Sequence, residues 1–354
     1  MENEPKMRRW MVAGPCSAES ETQMLTAARA LAPHVDYFRA GIWKPRTRPG
    51  DFEGVGEPAL EWLKKVKNET GLRVATEVAN ARHVEACLAA GVDVMWIGAR
   101  TTVSPFAVQE IADALPGVRQ SVWVKNPVNP DLALWLGAVE RLERAGLHPW
   151  TVHRGFSVYH KGPYRNPPQW QLALEFRRLR PEIPMLCDPS HIGGKRELVA
   201  LIAQHALDLQ MDGLMIEVHP DPDRALSDPA QQLTPAAFVA MIDALVFRRP
   251  HPDSLEFESA IAEHRKNIDR IDDELTLLLA ERLKIIEKVA QLKRRHAVTA
   301  FQLERWDELI QKRTAQAASL SLDVEFLTEI YKLIHEAALN RQSRVMNAEN
   351  VAIS

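Results

Sequence analysis

PMLCDPSHIGGKRELVALIAQHALDLQMDGLMIEVHP, residues 184–220, holds two short apolar runs, PMLC and DGLMIEV, separated by a helix-length amphipathic stretch. Short apolar runs bounded by Gly, Pro and Asp read as strands buried on both faces, and a helix between two such runs makes a parallel crossover. The unit recurs upstream. Runs of the same kind begin near Trp10 (WMVAGPCS), Val35 (VDYFRAGI), Arg73 (RVATEV), Asp93 (DVMWIGAR), Ser121 (SVWVKN) and Trp150 (WTVHRG), each followed by an amphipathic stretch. With the runs at Pro184 and Asp212, eight strand–helix units in the first 247 residues spell an α/β TIM barrel, (β/α)8. A doubly wound sheet is the competing fold. It is weakened because no G-x-G-x-x-G follows the first strand and no P-loop motif occurs.

The rest of the chain has another architecture. All 16 glycines and all 23 prolines lie at or before Pro252, so the last 102 residues are free of both and suit almost continuous helix. Residues 1–247 are expected as the barrel domain, 248–255 as a linker built on Arg248, Arg249, Pro250, His251 and Pro252, 256–346 as an all-α domain, and 347–354 as a tail. Between about Leu255 and His296, Ile261, Ile268, Ile271, Leu275, Leu278, Leu279, Ile285, Ile286, Val289 and Leu292 recur at three- and four-residue steps. A helix of ~38 residues is ~57 Å long, more than a small domain covers, so its apolar stripe needs partner helices, most simply from a second copy. Two shorter helical patterns follow, near 300–318 and 322–345. The expectation is a three-helix, intertwined dimeric domain.

A net charge of -3 from 44 basic and 47 acidic residues argues against nucleic-acid binding through bulk positive charge. Three cysteines fit a reducing compartment, with the cytoplasm as default. MENEPKMRRW lacks the apolar run of a signal peptide, and no stretch of about 18 apolar residues suggests a membrane span. Cys87 and Cys187 read as buried structural thiols.

Barrel enzymes carry their chemistry at the C-terminal ends of the strands. Those ends place Arg39, Lys44, Arg46, Arg100, Lys125 and Arg154 at one mouth, the signature of a pocket for phosphorylated or carboxylated small molecules. Cys16, His191, Glu217 and, in the loop ALSDP, Asp228 share that address. One thiolate, one imidazole and two carboxylates can hold a divalent transition metal, without selecting among Mn, Fe, Co and Zn. Each has a structural alternative: Cys16 as small core filler, His191 as a helix-capping residue, Asp228 as an N-cap.

In order, GPCSAES, FRAGIWKPRT, TEV, IGART, VKNP, HRG, DPSH and IEVHPDPDRALSD resemble the compact-barrel branch of the 3-deoxy-D-arabino-heptulosonate 7-phosphate synthases over residues 10–245. The resemblance implies a metal-dependent condensation of phosphoenolpyruvate with erythrose 4-phosphate. It also implies Cys16, His191, Glu217 and Asp228 as metal ligands, with Mn preferred over Co, Fe or Zn. Arg39, Lys44, Arg100, Lys125 and Arg154 become the phosphoenolpyruvate clamp, Arg46 and Thr47 the erythrose 4-phosphate contacts, and Lys44 the candidate proton donor. A sister family acting on arabinose 5-phosphate shares part of the layout, but KPRT after the second strand favours the four-carbon sugar.

On the long helix, Arg282 and Lys293 are 11 residues apart and share a face, whereas Arg265 precedes Arg282 by 17 residues and lies about 100° away. Arg265 is therefore suited to the equivalent pocket of a partner chain. AEHRKNIDRIDDELTLLLAERLKIIEKVAQLK, then ER at 304–305 and EAALNRQ, resemble the all-helical chorismate mutases over 256–345. That resemblance implies rearrangement of chorismate to prephenate, with Arg265, Arg282 and Arg305 on the carboxylates and Lys293 and Gln342 on the ether oxygen. Gln302 and Trp306 stand where relatives carry acids, and Ala338 where they carry a small hydroxyl residue. Gln302 still accepts a hydrogen bond and is counted in the site; Trp306 cannot accept one. The competing expectation is a tail that dimerises and senses prephenate or chorismate to regulate the barrel.

Overall fold

The computed structural model describes residues 9–46, 48–115, 117, 120–159, 162–249 and 254–348. The chain forms two compact units, Met1–Pro250 and His251–Ser354. Pro250, His251 and Pro252 of the expected linker lie outside the described residues.

The first unit runs β1 (Trp10–Gly14), α1 (Glu21–Leu31), β2 (Tyr37–Arg39), α2 (Pro58–Thr70), β3 (Arg73–Val78), α3 (Ala81–Ala89), β4 (Val94–Ile97), α4 (Ala99–Thr102) and α5 (Pro105–Asp113). It continues with β5 (Ser121–Lys125), α6 (Leu132–Arg144), β6 (Trp150–His153), α7 (Trp170–Leu179), β7 (Met185–Cys187), α8 (Pro189–Gly193), α9 (Arg196–Asp208), β8 (Gly213–Glu217) and α10 (Pro235–Ala244). The eight strands close a parallel barrel, with β1 and β8 paired from Trp10↔Gly213 to Gly14↔Glu217. All eight runs read from the sequence become strands.

Alternation along each strand makes two cores. Ala13, Phe38, Met95, Val124 and Ile216 face the helices, while Val12, Ala75, Trp96, Trp123, Leu186 and Met215 fill the interior. At the end where the strands begin, Tyr37 and Trp123 meet edge-on with centroids 5.1 Å apart, and Arg73 lies 4.0 Å from the Tyr37 ring centroid. Stacking a guanidinium on aromatic faces lets a charge sit over apolar surface. Helix starts are fixed locally: Ser20, Asn80, Ser104, Asp131 and Thr234 each accept a hydrogen bond from a backbone N–H of the first turn. Gly14, at φ +151, ends β1 where a Cβ would lie 2.1 Å from the Arg39 carbonyl oxygen. Only glycine lets β1 approach the end of β2 so closely there.

The second unit holds α11 (Leu255–Arg295), α12 (Leu303–Ser319) and α13 (Val324–Met346), with α13 packed on both others. Its turns manage without glycine because Ala297 and Ser321 take positive φ of 52° and 56°, a conformation that costs an L-residue roughly 1–2 kcal/mol. Ile268, Ile271, Leu275 and Leu278 on α11 remain about half exposed.

Candidate active site

Three elements bring the acidic and soft donors together. Cys16 follows β1, Glu217 is the last residue of β8, and Asp228 sits in the next loop with a left-handed backbone, φ 46°. One donor atom from each lies within 4.8 Å of the others, Cys16 Sγ and Asp228 Oδ2 being 3.3 Å apart. His191, on α8, joins through Glu217: its Nε2 is 3.7 Å from Glu217 Oε1. Its Nδ1 lies 2.8 Å from Asp188 Oδ2, a contact that orients the ring and turns Nε2 towards the cluster. Backbone and side-chain bonds staple the first loop to the last. Cys16 N donates to Gln232 Oε1 at 2.9 Å, and the Ser17 and Ser227 hydroxyls are 2.5 Å apart.

The charges suit a cation. Burial pushes the carboxyls of Glu217 and Asp228 towards neutrality, but His191 and Arg39 beside Glu217, and Arg165 and His191 beside Asp228, outweigh it and hold both below their ordinary values. Burial, helped by Glu217, pushes the Cys16 thiol up to about 12, so a bound metal must displace its proton. Such a mixed sulfur, nitrogen and oxygen set, with ionised carboxylates, fits a divalent transition metal.

Next to the donors is a cavity of about 310 Å³ lined by Lys44, Arg46, Arg100, Lys125, Arg154, Arg165, Glu77, His191 and Asp228. Lys44 Nζ donates to the Cys16 carbonyl at 3.2 Å. Burial pushes its pKa down, but Cys16, once it loses its proton, and the Glu77 carboxylate raise it above its ordinary value. Lys125 Nζ is 2.7 Å from Asp188 Oδ2. Arg154 is brought down to about 10 by burial, although Asp188 supports its charge and Arg165 and Arg100 add to the lowering. Mutually repelling cations in a closed pocket are stabilised by an anionic ligand. Arg46 bonds the Phe52 carbonyl through Nε at 2.8 Å and keeps Nη1 3.9 Å from Asp228. Thr47 lies outside the described residues.

Arg39 departs from the expected clamp. It is fully buried and does not line the cavity; Nη1 donates to Glu217 Oε1 at 3.1 Å and Nη2 to the Cys16 carbonyl at 2.9 Å. The reason is electrostatic: a buried carboxylate needs a counter-charge, and Arg39 supplies one at 3.1 Å. Arg165, in the loop after β6, went unread in the sequence. Its Nη1 bonds Asp228 Oδ1 at 2.8 Å and Gln231 Oε1 at 2.7 Å, and Gln231 in turn donates to Glu217 Oε2 at 2.7 Å. Its only sequence signal was a basic residue on a strand-end loop.

In the helical unit, Lys293 donates to the Ala300 carbonyl at 2.6 Å, and Arg282 Nη1 and Gln342 Oε1 are buried with no hydrogen-bond partner among the described residues. Arg305 is exposed and pairs with Glu308, and Gln302 is exposed at the start of α12. Arg265 lies 17 residues from Arg282 on the same helix, ~25 Å along its axis, and cannot reach the Arg282 pocket within one chain.

Residues 6–246 match the DAHP synthetase I family and residues 264–343 match chorismate mutase type II. A phospho-2-dehydro-3-deoxyheptonate aldolase of Thermotoga maritima is 30% identical over 237 residues, 66% of this chain and 68% of that protein. A 2-dehydro-3-deoxyphosphooctonate aldolase of Syntrophotalea carbinolica is 30% identical over 249 residues, 63% of this chain and 84% of its own length. The crystal structure of the Thermotoga maritima DAHP synthase superposes with a TM-score of 0.61 at 29% identity, covering 66% of this chain and 67% of that one. With the barrel, its cation-lined mouth and the sulfur–carboxylate cluster beside these matches, the chain belongs to the DAHP synthetase I family and carries a chorismate mutase type II domain after it, a transferase and an isomerase unit in one polypeptide.

Proposed function

We propose that the barrel condenses phosphoenolpyruvate with erythrose 4-phosphate to give 3-deoxy-D-arabino-heptulosonate 7-phosphate and phosphate. The observation that carries this reading is the cavity in which six basic side chains adjoin the Cys16, Glu217 and Asp228 donors. Phosphoenolpyruvate brings a carboxylate and a phosphate. Lys44, Arg100, Lys125 and Arg154 hold them and orient C3 towards the aldehyde carbon, while Arg46 and Thr47 take the sugar phosphate. Cys16, His191, Glu217 and Asp228 would hold a divalent metal, Mn before Co, Fe or Zn, which would supply Lewis-acid stabilisation of the aldehyde oxygen. Arg39 keeps Glu217 ionised and Arg165 does the same for Asp228. Lys44 donates the proton that the new alcohol needs; water adds at C2 and phosphate leaves. The purified chain is expected to release phosphate from phosphoenolpyruvate with erythrose 4-phosphate at least tenfold faster than with arabinose 5-phosphate, an order-of-magnitude margin for one fitted phosphate contact. Equal rates, or a preference for the pentose, would refute the sugar assignment.

The helical unit is proposed to rearrange chorismate to prephenate in a homodimer of a cytoplasmic enzyme. Arg282, Lys293, Gln342, Gln302 and Arg305 come from one chain and Arg265 from the other. The reaction needs no covalent help, only a folded substrate and donors aimed at the developing charge on the ether oxygen. The exposed stripe on α11 and the ~25 Å between Arg265 and Arg282 support the dimer, since a second copy covers the first and removes the second. Among the described residues no helix is long and apolar enough to cross a membrane. Ile271 and Leu278 lie seven residues apart on one face. The double substitution Ile271→Glu with Leu278→Glu buries like charges across that face, so light scattering should report monomer and mutase turnover should fall roughly a hundredfold. A dimer with full mutase rate would exclude this interface.

A further inference from the structure

His335, on α13, lies on Trp306 of α12 with centroids 4.1 Å apart and planes 29° from parallel. Phe301 meets it edge-on at 5.9 Å. The stack fixes the imidazole plane, and His335, Ala338 and Gln342, at i, i+3 and i+7, share one face of α13. The charges that act on the ring are those of Arg282 and Lys293, both on α11. The segment before α12, and α12 itself, meet it with Phe301 and Trp306, neither of which titrates. Among the described residues nothing hydrogen-bonds its ring nitrogens. Burial and the charges of Arg282 and Lys293 hold the imidazole below its ordinary value, so the ring is neutral and oriented.

We infer that His335 is a ligand-contacting residue of this anion site, hydrogen-bonding a cyclic dicarboxylate and taking up part of a proton when that ligand neutralises Arg282 and Lys293. The inference rests on the mutase reading of the helical unit and deepens it. Two incoming carboxylates cancel the potential that opposes protonation, and linkage then requires binding to carry protons in with it. A neutral ring without a partner is thus converted into a charge-assisted donor only when the site is filled.

The test is calorimetric titration of the full chain with prephenate at about pH 7 in phosphate and in Tris. The apparent enthalpies should differ by the uptake of a few tenths of a proton, the order expected for a histidine shifted towards neutrality. His335→Phe keeps a ring on Trp306 but removes the nitrogens. It should abolish the buffer difference and raise KM for chorismate about tenfold, the usual worth of a hydrogen bond to a charged group. His335→Gln should restore KM to within about threefold, because it still hydrogen-bonds, yet show no proton uptake. Buffer-independent binding by the unaltered chain overturns the inference, as does an unchanged KM in His335→Phe. If the unaltered chain neither binds prephenate nor turns over chorismate, the mutase reading falls and takes this inference with it.

Discussion

Lys44→Met is expected to lower condensation turnover by about a thousandfold, within the range for loss of a general acid, while the metal content of the loaded protein stays unchanged. The side chain touches both halves of the site, since it lines the cavity and donates to the Cys16 carbonyl at 3.2 Å. Burial alone would favour loss of its proton, but Cys16, once ionised, and the carboxylates of Glu77 and Glu217 hold the ammonium in place. A retained proton beside a developing alkoxide is what a donor requires. Methionine keeps most of the apolar stem and removes the charge together with the N–H donors. The Cys16 loop survives, because the same carbonyl still accepts from Arg39 Nη2 at 2.9 Å and from Gly41 N at 3.2 Å. Stopped-time phosphate release and elemental analysis measure the two halves of the expectation. Turnover within tenfold of the parent would remove Lys44 from the chemistry. Loss of metal would instead make it a support of the Cys16 loop.

Chelation should divide the two activities completely. With excess EDTA the condensation rate is expected to fall below about one per cent of its starting value, since Lewis-acid stabilisation is worth several kcal/mol. Chorismate turnover in the same tube should be unaltered. The barrel gathers two carboxylates and a thiol within 4.8 Å and keeps both carboxylates ionised, whereas the polar groups read as the mutase site are guanidinium, ammonium and amide, which do not prefer a cation. Adding Mn²⁺ in excess of the chelator should restore the rate. A condensation rate indifferent to EDTA, after prolonged dialysis, would mean that the cluster is structural. A simultaneous loss of mutase activity would point to general unfolding.

Most of the barrel was legible because a strand buried on both faces has to be an apolar run, and a run that ends in Arg, Lys, His or a carboxylate announces the mouth. Arg39 and Lys125 show the limit of that reading. Each is a basic residue at the end of a strand, but Arg39 turns behind Glu217 and Lys125 pairs with Asp188 at the cavity wall. Which carboxylate a strand-end cation meets depends on the far side of the ring, and linear spacing carries no record of it. Arg165 was missed for a related reason: the loop that carries it is ordered by contacts such as Asn166 N to the Ile192 carbonyl at 3.1 Å, made with a segment well downstream. In the helical unit, the periodicity gave the helices to within a few residues. The pairing of Trp306 with His335 was invisible, since it depends on how α12 packs on α13 rather than on either pattern.

The stapling of the Cys16 loop to the loop that holds Asp228 also has a consequence for biosynthesis. The ribosome delivers Cys16 near the start of the barrel and Asp228 only after β8 has emerged, so a nascent chain has no complete set of the proposed ion ligands until the cylinder is ready to shut. Contacts this distant in sequence form slowly. Under the metal assignment proposed above, capture therefore comes late, as a latch on a finished ring, and a translation product stalled before Asp228 has no means of hoarding transition metals at this site.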